Sequence, residues 1–202
     1  MIKAAVFDID GTLIDSLDGW RAAVAAYLEK INKPFDLKVY NEMHKLTADR
    51  ATEYLKREMK IEASAEEIRS ALFSQLYDFY KNRVRAFDGV PYLLGLLTEN
   101  GVKLAAATSN NRIFAEAGLC RTGLMKYFSF ISTCDELGTV KSEPYIFEYT
   151  AEKLGASPRD TAVFEDSEHA VETARRAGFR AVDIKALDLS DKEKTRKFVF
   201  DL

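Results

Sequence analysis

Five short apolar runs, each halted by a turn or a polar cluster and separated by helix-length stretches, restrict this chain to a layered α/β fold. The runs are 2–7 (Ile-Lys-Ala-Ala-Val-Phe), Val102–Ala107, Phe128–Ser132, Thr161–Phe164 and Phe179–Ile184. None shows clean period-two alternation, the pattern expected of strands covered on both faces of a parallel sheet. Helical spacing fills the gaps. Pro91-Tyr92-Leu93-Leu94-Gly95-Leu96-Leu97 leads into the stop signal Asn100-Gly101. Pro144 opens a second helix, with Ile146, Phe147, Tyr149, Thr150 and Leu154 on a 3–4 spacing and Gly155 ending it. Ser167 is placed to cap a third, through Val171, Ala174 and Ala177 to Gly178. Such alternation predicts a Rossmann-like parallel-sheet core with right-handed crossovers.

One segment breaks the rhythm. From about Asp15 to Arg85 the apolar residues keep helical spacing in three groups, Leu17 to Ile31, Tyr54 to Met59 and Ile68 to Tyr80. The expectation is a helical insertion over 15–85, with the α/β core made from 1–14 and 86–202, and hinges near Asp15–Leu17 and Arg85–Asp88. The tail from Leu189 is charge-rich and carries no functional signal.

Composition narrows the function classes. With 29 basic against 32 acidic residues the formal charge is −3, which argues against a dedicated nucleic-acid surface. No run approaches the roughly 18 apolar residues that cross a bilayer, and acid arrives at Asp8, too early for a signal peptide. Cys120 and Cys134 form neither a disulfide framework nor a zinc pattern, so a reduced, cytoplasmic protein is expected. Oligomeric state leaves no trace in the sequence.

In open parallel sheets, ligands bind beyond the carboxyl ends of the strands. There the first run ends in Asp8-Ile9-Asp10-Gly11-Thr12, the second in Thr108-Ser109-Asn110 and the fourth in Glu165-Asp166-Ser167, while the third leads to a loop with Lys141. Asp8 and Asp10, two apart in an extended segment, are expected to point the same way, which calls for a cation or a proton between them. Gly11 permits a tight turn and close ligand approach. With Glu165 and Asp166 they offer hard oxygen ligands and no thiol or paired histidine, a set that favours Mg²⁺. The Thr108 hydroxyl, the Ser109 and Asn110 amides and the Lys141 charge complete the equipment for holding a phosphoryl group.

Each cluster has a plainer reading when taken singly. Asp8 and Asp10 could be a solvated turn, Thr108-Ser109-Asn110 and Glu165-Asp166-Ser167 helix-start residues, and Lys141 a surface lysine. Their joint arrival at strand ends is what the plain readings fail to explain.

These pieces resemble the haloacid dehalogenase superfamily, in the branch with a helical cap that includes phosphatases and β-phosphoglucomutase. The matching stretches are Val6-Phe7-Asp8-Ile9-Asp10-Gly11-Thr12-Leu13, Thr108-Ser109-Asn110, Lys141 ahead of Pro144-Tyr145-Ile146-Phe147, and Phe164-Glu165-Asp166-Ser167. Phe87-Asp88-Gly89-Val90 and Ala174-Arg175-Arg176-Ala177-Gly178 also fit. Two departures are Ser142-Glu143, placed between Lys141 and Pro144, and Ala170 where the family usually has glycine.

The resemblance implies Asp8 as nucleophile, giving an aspartyl-phosphate, and Asp10 as general acid and then base. It implies Mg²⁺ held by Asp8, the Asp10 backbone carbonyl, Asp166 and Glu165 (directly or through water), with Thr108 and Lys141 on the phosphoryl group. An aspartate at position 10 speaks against carbon–halogen cleavage. The implied reaction is hydrolysis of a small phosphorylated metabolite, of the sugar phosphate or phosphoglycolate type. A sugar phosphomutase is the alternative. A phospho-accepting receiver domain is a third reading, disfavoured by the acidic pair after the lysine and by the helical insertion. In the insertion, Arg50 could grip a second anionic group. His44 and Lys45 read as a solvated face, Trp20 as packing, and His169 as a partly buried helix-start residue.

Overall fold

The protein is described here by a computed structural model covering residues 2–43, Leu46 and 48–202. His44 and Lys45 lie outside the described residues. The core sheet has five parallel strands in the order β5-β4-β1-β6-β7. They are β1 (Ala4–Phe7), β4 (Lys103–Thr108), β5 (Ile131–Thr133), β6 (Thr161–Glu165) and β7 (Arg180–Asp183). Central β1 pairs in register with both neighbours, Phe7 opposite Ala106 on one side and Phe164 on the other. Successive side chains of β1 enter different cores, Ala5 and Phe7 one and Ala4 and Val6 the other. Both faces are therefore covered, which is why the run reads as continuously apolar. Edge strand β7 departs from that expectation, with Arg180 and Asp183 exposed.

Among the described residues, four helices stand between β2 (Ile14–Asp15) and β3 (Arg85–Ala86): α1 (Leu17–Lys30), α2 (Leu37–Met43), α3 (Ala48–Glu58) and α4 (Ala65–Asn82). A reciprocal Ser64–Glu67 capping box starts α4. Two features were not legible in the periodicity. Helix α2 is too short to carry a pattern, although Asp36 marks its start by accepting from the Lys38 and Val39 amides. The β2–β3 ribbon, Ile14 opposite Ala86 and Asp15 opposite Arg85, gives the inserted stretch a paired entry and exit.

The remaining helices are α5 (Val90–Glu99), α6 (Arg112–Arg121), α7 (Cys134–Leu137), α8 (Tyr145–Leu154), α9 (Glu168–Arg176) and α10 (Lys192–Asp201). The charge-rich tail turns out to be α10, which buries Val199 and sets the Phe198 ring edge-on to Phe164 at 6.2 Å. Helix α4 packs closely on α6, because a Cβ at Gly118 would meet Ile14 Cδ1 at 2.8 Å and Tyr80 Cδ1 at 3.0 Å. Among the described residues no helix is long and apolar enough to cross a membrane. Both cysteines are free, Cys120 exposed and Cys134 buried.

Candidate active site

Strand ends bring the predicted residues together. Asp8 follows β1 directly and its amide donates to the Phe164 carbonyl at 2.9 Å. Glu165 closes β6, with Asp166 next in the chain. Carboxylate oxygens of Asp8, Glu165 and Asp166 lie within 4.8 Å of one another. Lys141, from the loop before α8, donates to Asp8 Oδ1 and to Glu165 Oε1, and all three side chains are buried. An ammonium has three N–H donors, so one remains for another acceptor.

Burial pushes the Asp8 carboxyl up to about 8, against the pull of Lys141 and with added repulsion from Glu165. For Lys141, burial opposes the charge, but the two carboxylates outweigh it and hold the ammonium above its ordinary value. The other Asp8 oxygen, Oδ2, is buried without a hydrogen-bond partner. Three carboxylates against one buried cation, with one acceptor left unserved, form a donor set that fits a hard divalent ion. Gly11 supports the same reading. At φ +89°, a Cβ there would lie 2.7 Å from Asp166 Oδ2, so only glycine lets the loop pass over that carboxylate. Lys185, which sequence reading did not single out, pairs with Asp166 Oδ2 at 2.9 Å and donates to its carbonyl at 2.8 Å.

Asp10 binds a different set of partners from Asp8, although its charge adds repulsion on the Asp8 carboxyl. Strand β1 ends at Phe7, and beyond it the chain tightens into a loop in which the Leu13 and Ile14 amides both donate to the Ile9 carbonyl. Two-residue alternation does not extend through such a turn. The Asp10 carboxylate accepts instead from Ser16 Oγ at 2.5 Å, from the Tyr80 hydroxyl, and from Asn110 Nδ2 at 2.9 Å. Tyr80 sits fully buried on α4, and its hydroxyl accepts from Trp20 Nε1 at 2.7 Å. Burial first, then the Asp10 charge and bond, hold its phenol well above the ordinary value. In the helical spacing Tyr80 is one more packing residue; its only distinguishing signal is a hydroxyl in an otherwise apolar stripe.

The β4 end is arranged differently from expectation. The Asn110 amide donates to Thr108 Oγ1 at 2.9 Å, leaving the Thr108 hydroxyl proton free, while the Asn110 side chain turns to Asp10 and Tyr80. Asn111, not the Thr108-Ser109-Asn110 stretch, caps α6 through the Ile113 amide. Ser109 is exposed, with its hydroxyl 3.6 Å from Cys134 Sγ. Ser167 occupies the α9 cap position, but its hydroxyl contacts His169 Nδ1 at 2.6 Å instead of a helix amide. His169 is exposed, correcting the expectation of partial burial. Arg50 is exposed on α3. Trp20 packs edge-on to Phe114 at 5.9 Å, as a packing role requires, while also donating to Tyr80.

A parallel sheet carrying acids, a buried lysine and a hydroxyl at its strand ends has the layout of an enzyme of the layered α/β class, with its charged groups gathered at the carboxyl edge. The chain belongs to the haloacid dehalogenase-like hydrolase family, which matches residues 2–178. It is 30% identical over 192 residues to the phosphoglycolate phosphatase of Neisseria meningitidis, covering 91% of this chain and 80% of that protein. It is 26% identical over 181 residues to the phosphorylated carbohydrates phosphatase of Thermotoga maritima, covering 90% and 84%. The crystal structure of CbbY from Rhodobacter sphaeroides in complex with phosphate shares the fold, with a TM-score of 0.77, 22% identity and coverage of 89% and 84%.

Proposed function

We propose that the chain is a Mg²⁺-dependent phosphatase of small phosphomonoesters, of the sugar phosphate or phosphoglycolate type, acting through a phosphorylated Asp8. The observation that carries this reading is Asp8 itself: one oxygen bound to a buried lysine, the other buried without a partner, in a cluster of three carboxylates. Relatives named as phosphatases of phosphoglycolate and of phosphorylated carbohydrates support the substrate class.

In this reading an Asp8 carboxylate oxygen bonds to phosphorus as the bond to the leaving oxygen breaks, and Asp10 delivers a proton to that oxygen. Asp10 then takes a proton from water, whose oxygen attacks phosphorus and frees phosphate from Asp8. The Thr108 proton and the third Lys141 N–H are the donors left for phosphoryl oxygens. Asp8, Asp166, Glu165 and the Asp10 backbone carbonyl would hold the Mg²⁺. When bound, it neutralises charge on the carboxylates and on the transferring group. Gly11 gives the loop room beside Asp166, Ser109 and Asn110 shape the wall next to Thr108, and Arg50 is the cation on the insertion for a second anionic group.

A panel of phosphorylated metabolites, assayed for released phosphate, tests the reading. Hydrolysis should vanish with EDTA, return with Mg²⁺, and be abolished in a folded Asp8→Asn variant. Metal-independent turnover, or turnover by that variant, would refute it.

A further inference from the structure

The Tyr80 hydroxyl has all its hydrogen bonds assigned by its neighbours. Indole Nε1–H can only donate, so Trp20 takes one lone pair. The Asn110 amide is oriented by its own oxygen, which accepts from the Asn111 amide at 2.8 Å. Its Nδ2 therefore donates, to Tyr80 at 3.0 Å and to Asp10 Oδ2 at 2.9 Å. With both lone pairs used, the Tyr80 proton goes to Asp10 Oδ1. That oxygen also receives Ser16, so two donors hold Oδ1 while Oδ2 has one and keeps an open lone pair. The ring is fixed as well, stacked on Phe114 at 5.3 Å and backed by Gly118.

We propose that Tyr80, oriented by Trp20 and Asn110, is a positioning residue that clamps Asp10 Oδ1 and so presents Oδ2 as the oxygen that protonates the leaving group. The inference rests on the phosphatase reading above. It ties the acid/base group to α4, so that the inserted helices and the proton transfer keep one register. The proton passes from Oδ2 to the leaving oxygen as the ester P–O bond breaks and the bond to Asp8 forms.

Tyr80→Phe keeps the ring and removes the clamp. The readout is kcat/KM with Mg²⁺ for two esters: p-nitrophenyl phosphate, whose leaving group needs little protonation, and the sugar phosphate or 2-phosphoglycolate that wild type hydrolyses. Loss of positioned acid catalysis should lower the second at least about tenfold more than the first. Trp20→Phe should shift the ratio in the same direction by a smaller factor, and decides the matter if Tyr80→Phe does not fold. Parallel losses on both esters, or no loss, would overturn the clamp while leaving the phosphatase reading intact. Wild type that hydrolyses neither p-nitrophenyl phosphate nor any sugar phosphate nor 2-phosphoglycolate would instead refute that reading, and the clamp with it.

Discussion

Gly11 offers the most direct test of how the loop after β1 shapes the acidic cluster. In Gly11→Ala the new Cβ would start 2.7 Å from Asp166 Oδ2 and 2.9 Å from its Cγ, where ordinary contact begins at 3.4 Å. About 0.7 Å must open between the loop and the carboxylate, several times the roughly 0.2 Å tolerance of a Mg²⁺–oxygen bond. Damage of this kind to groups supporting a metal site typically costs about 10–100-fold in affinity. The half-saturating Mg²⁺ concentration should rise by that factor. The backbone adds its own cost, since a φ of +89° is reserved for glycine. A penalty of about 1–2 kcal/mol there lowers the melting temperature by roughly 2–8 °C in a chain of this size. Gly101→Ala is the control, because Gly101 has φ +77° and nothing within 4 Å of the added Cβ. It should show the thermal loss alone. Mg²⁺ titration of hydrolysis, paired with melting curves, separates the two effects. An unchanged Mg²⁺ dependence in a folded Gly11→Ala variant would refute the reasoning.

Two further outcomes follow from the charges. The Asp8 carboxyl, raised from 3.8 to about 8 by burial, favours its protonated form in the folded protein. Without metal, ionising it therefore costs stability progressively from about pH 4 to pH 8 and no further above that. Melting temperatures in EDTA should fall across that window in wild type relative to Asp8→Asn; a constant gap between them would be contrary. Lys185 is 60% exposed and pairs with Asp166 at 2.9 Å, where a cation would compete for the same oxygen. Lys185→Gln should tighten half-saturation by Mg²⁺ up to about fivefold, the scale of an exposed ion pair of at most ~1 kcal/mol, and weaker Mg²⁺ activation would contradict the competition.

The buried strands, their order of appearance and the inserted helical stretch were readable because each obeys a local rule. A strand covered on both faces must be apolar through its middle, as Ala4–Phe7 and Ala162–Phe164 are, and a packed helix repeats its apolar face every three to four residues. Asp8, Glu165 and Asp166 were readable for a related reason, since polar residues that abruptly end such runs must lie at the sheet edge, whereas Lys141, in the loop beyond the third run, was readable through its place in the family pattern. Short elements escaped: β2, β3 and α2 contain too few residues to establish a period.

By itself the amino-acid order determined that an α/β core would form and which carboxylates its strands would carry to one edge. Only the tertiary structure decided how those groups divide their work. Asp8 and Asp10 are neighbours in the chain, yet one is bound by a lysine 133 residues away and the other by a tyrosine 70 residues away. Partners of that kind are chosen by the packing of α4 on α6 and by the loop before α8. Hydrogen bonding and desolvation act through space over a few ångströms, and sequence spacing does not record such distances.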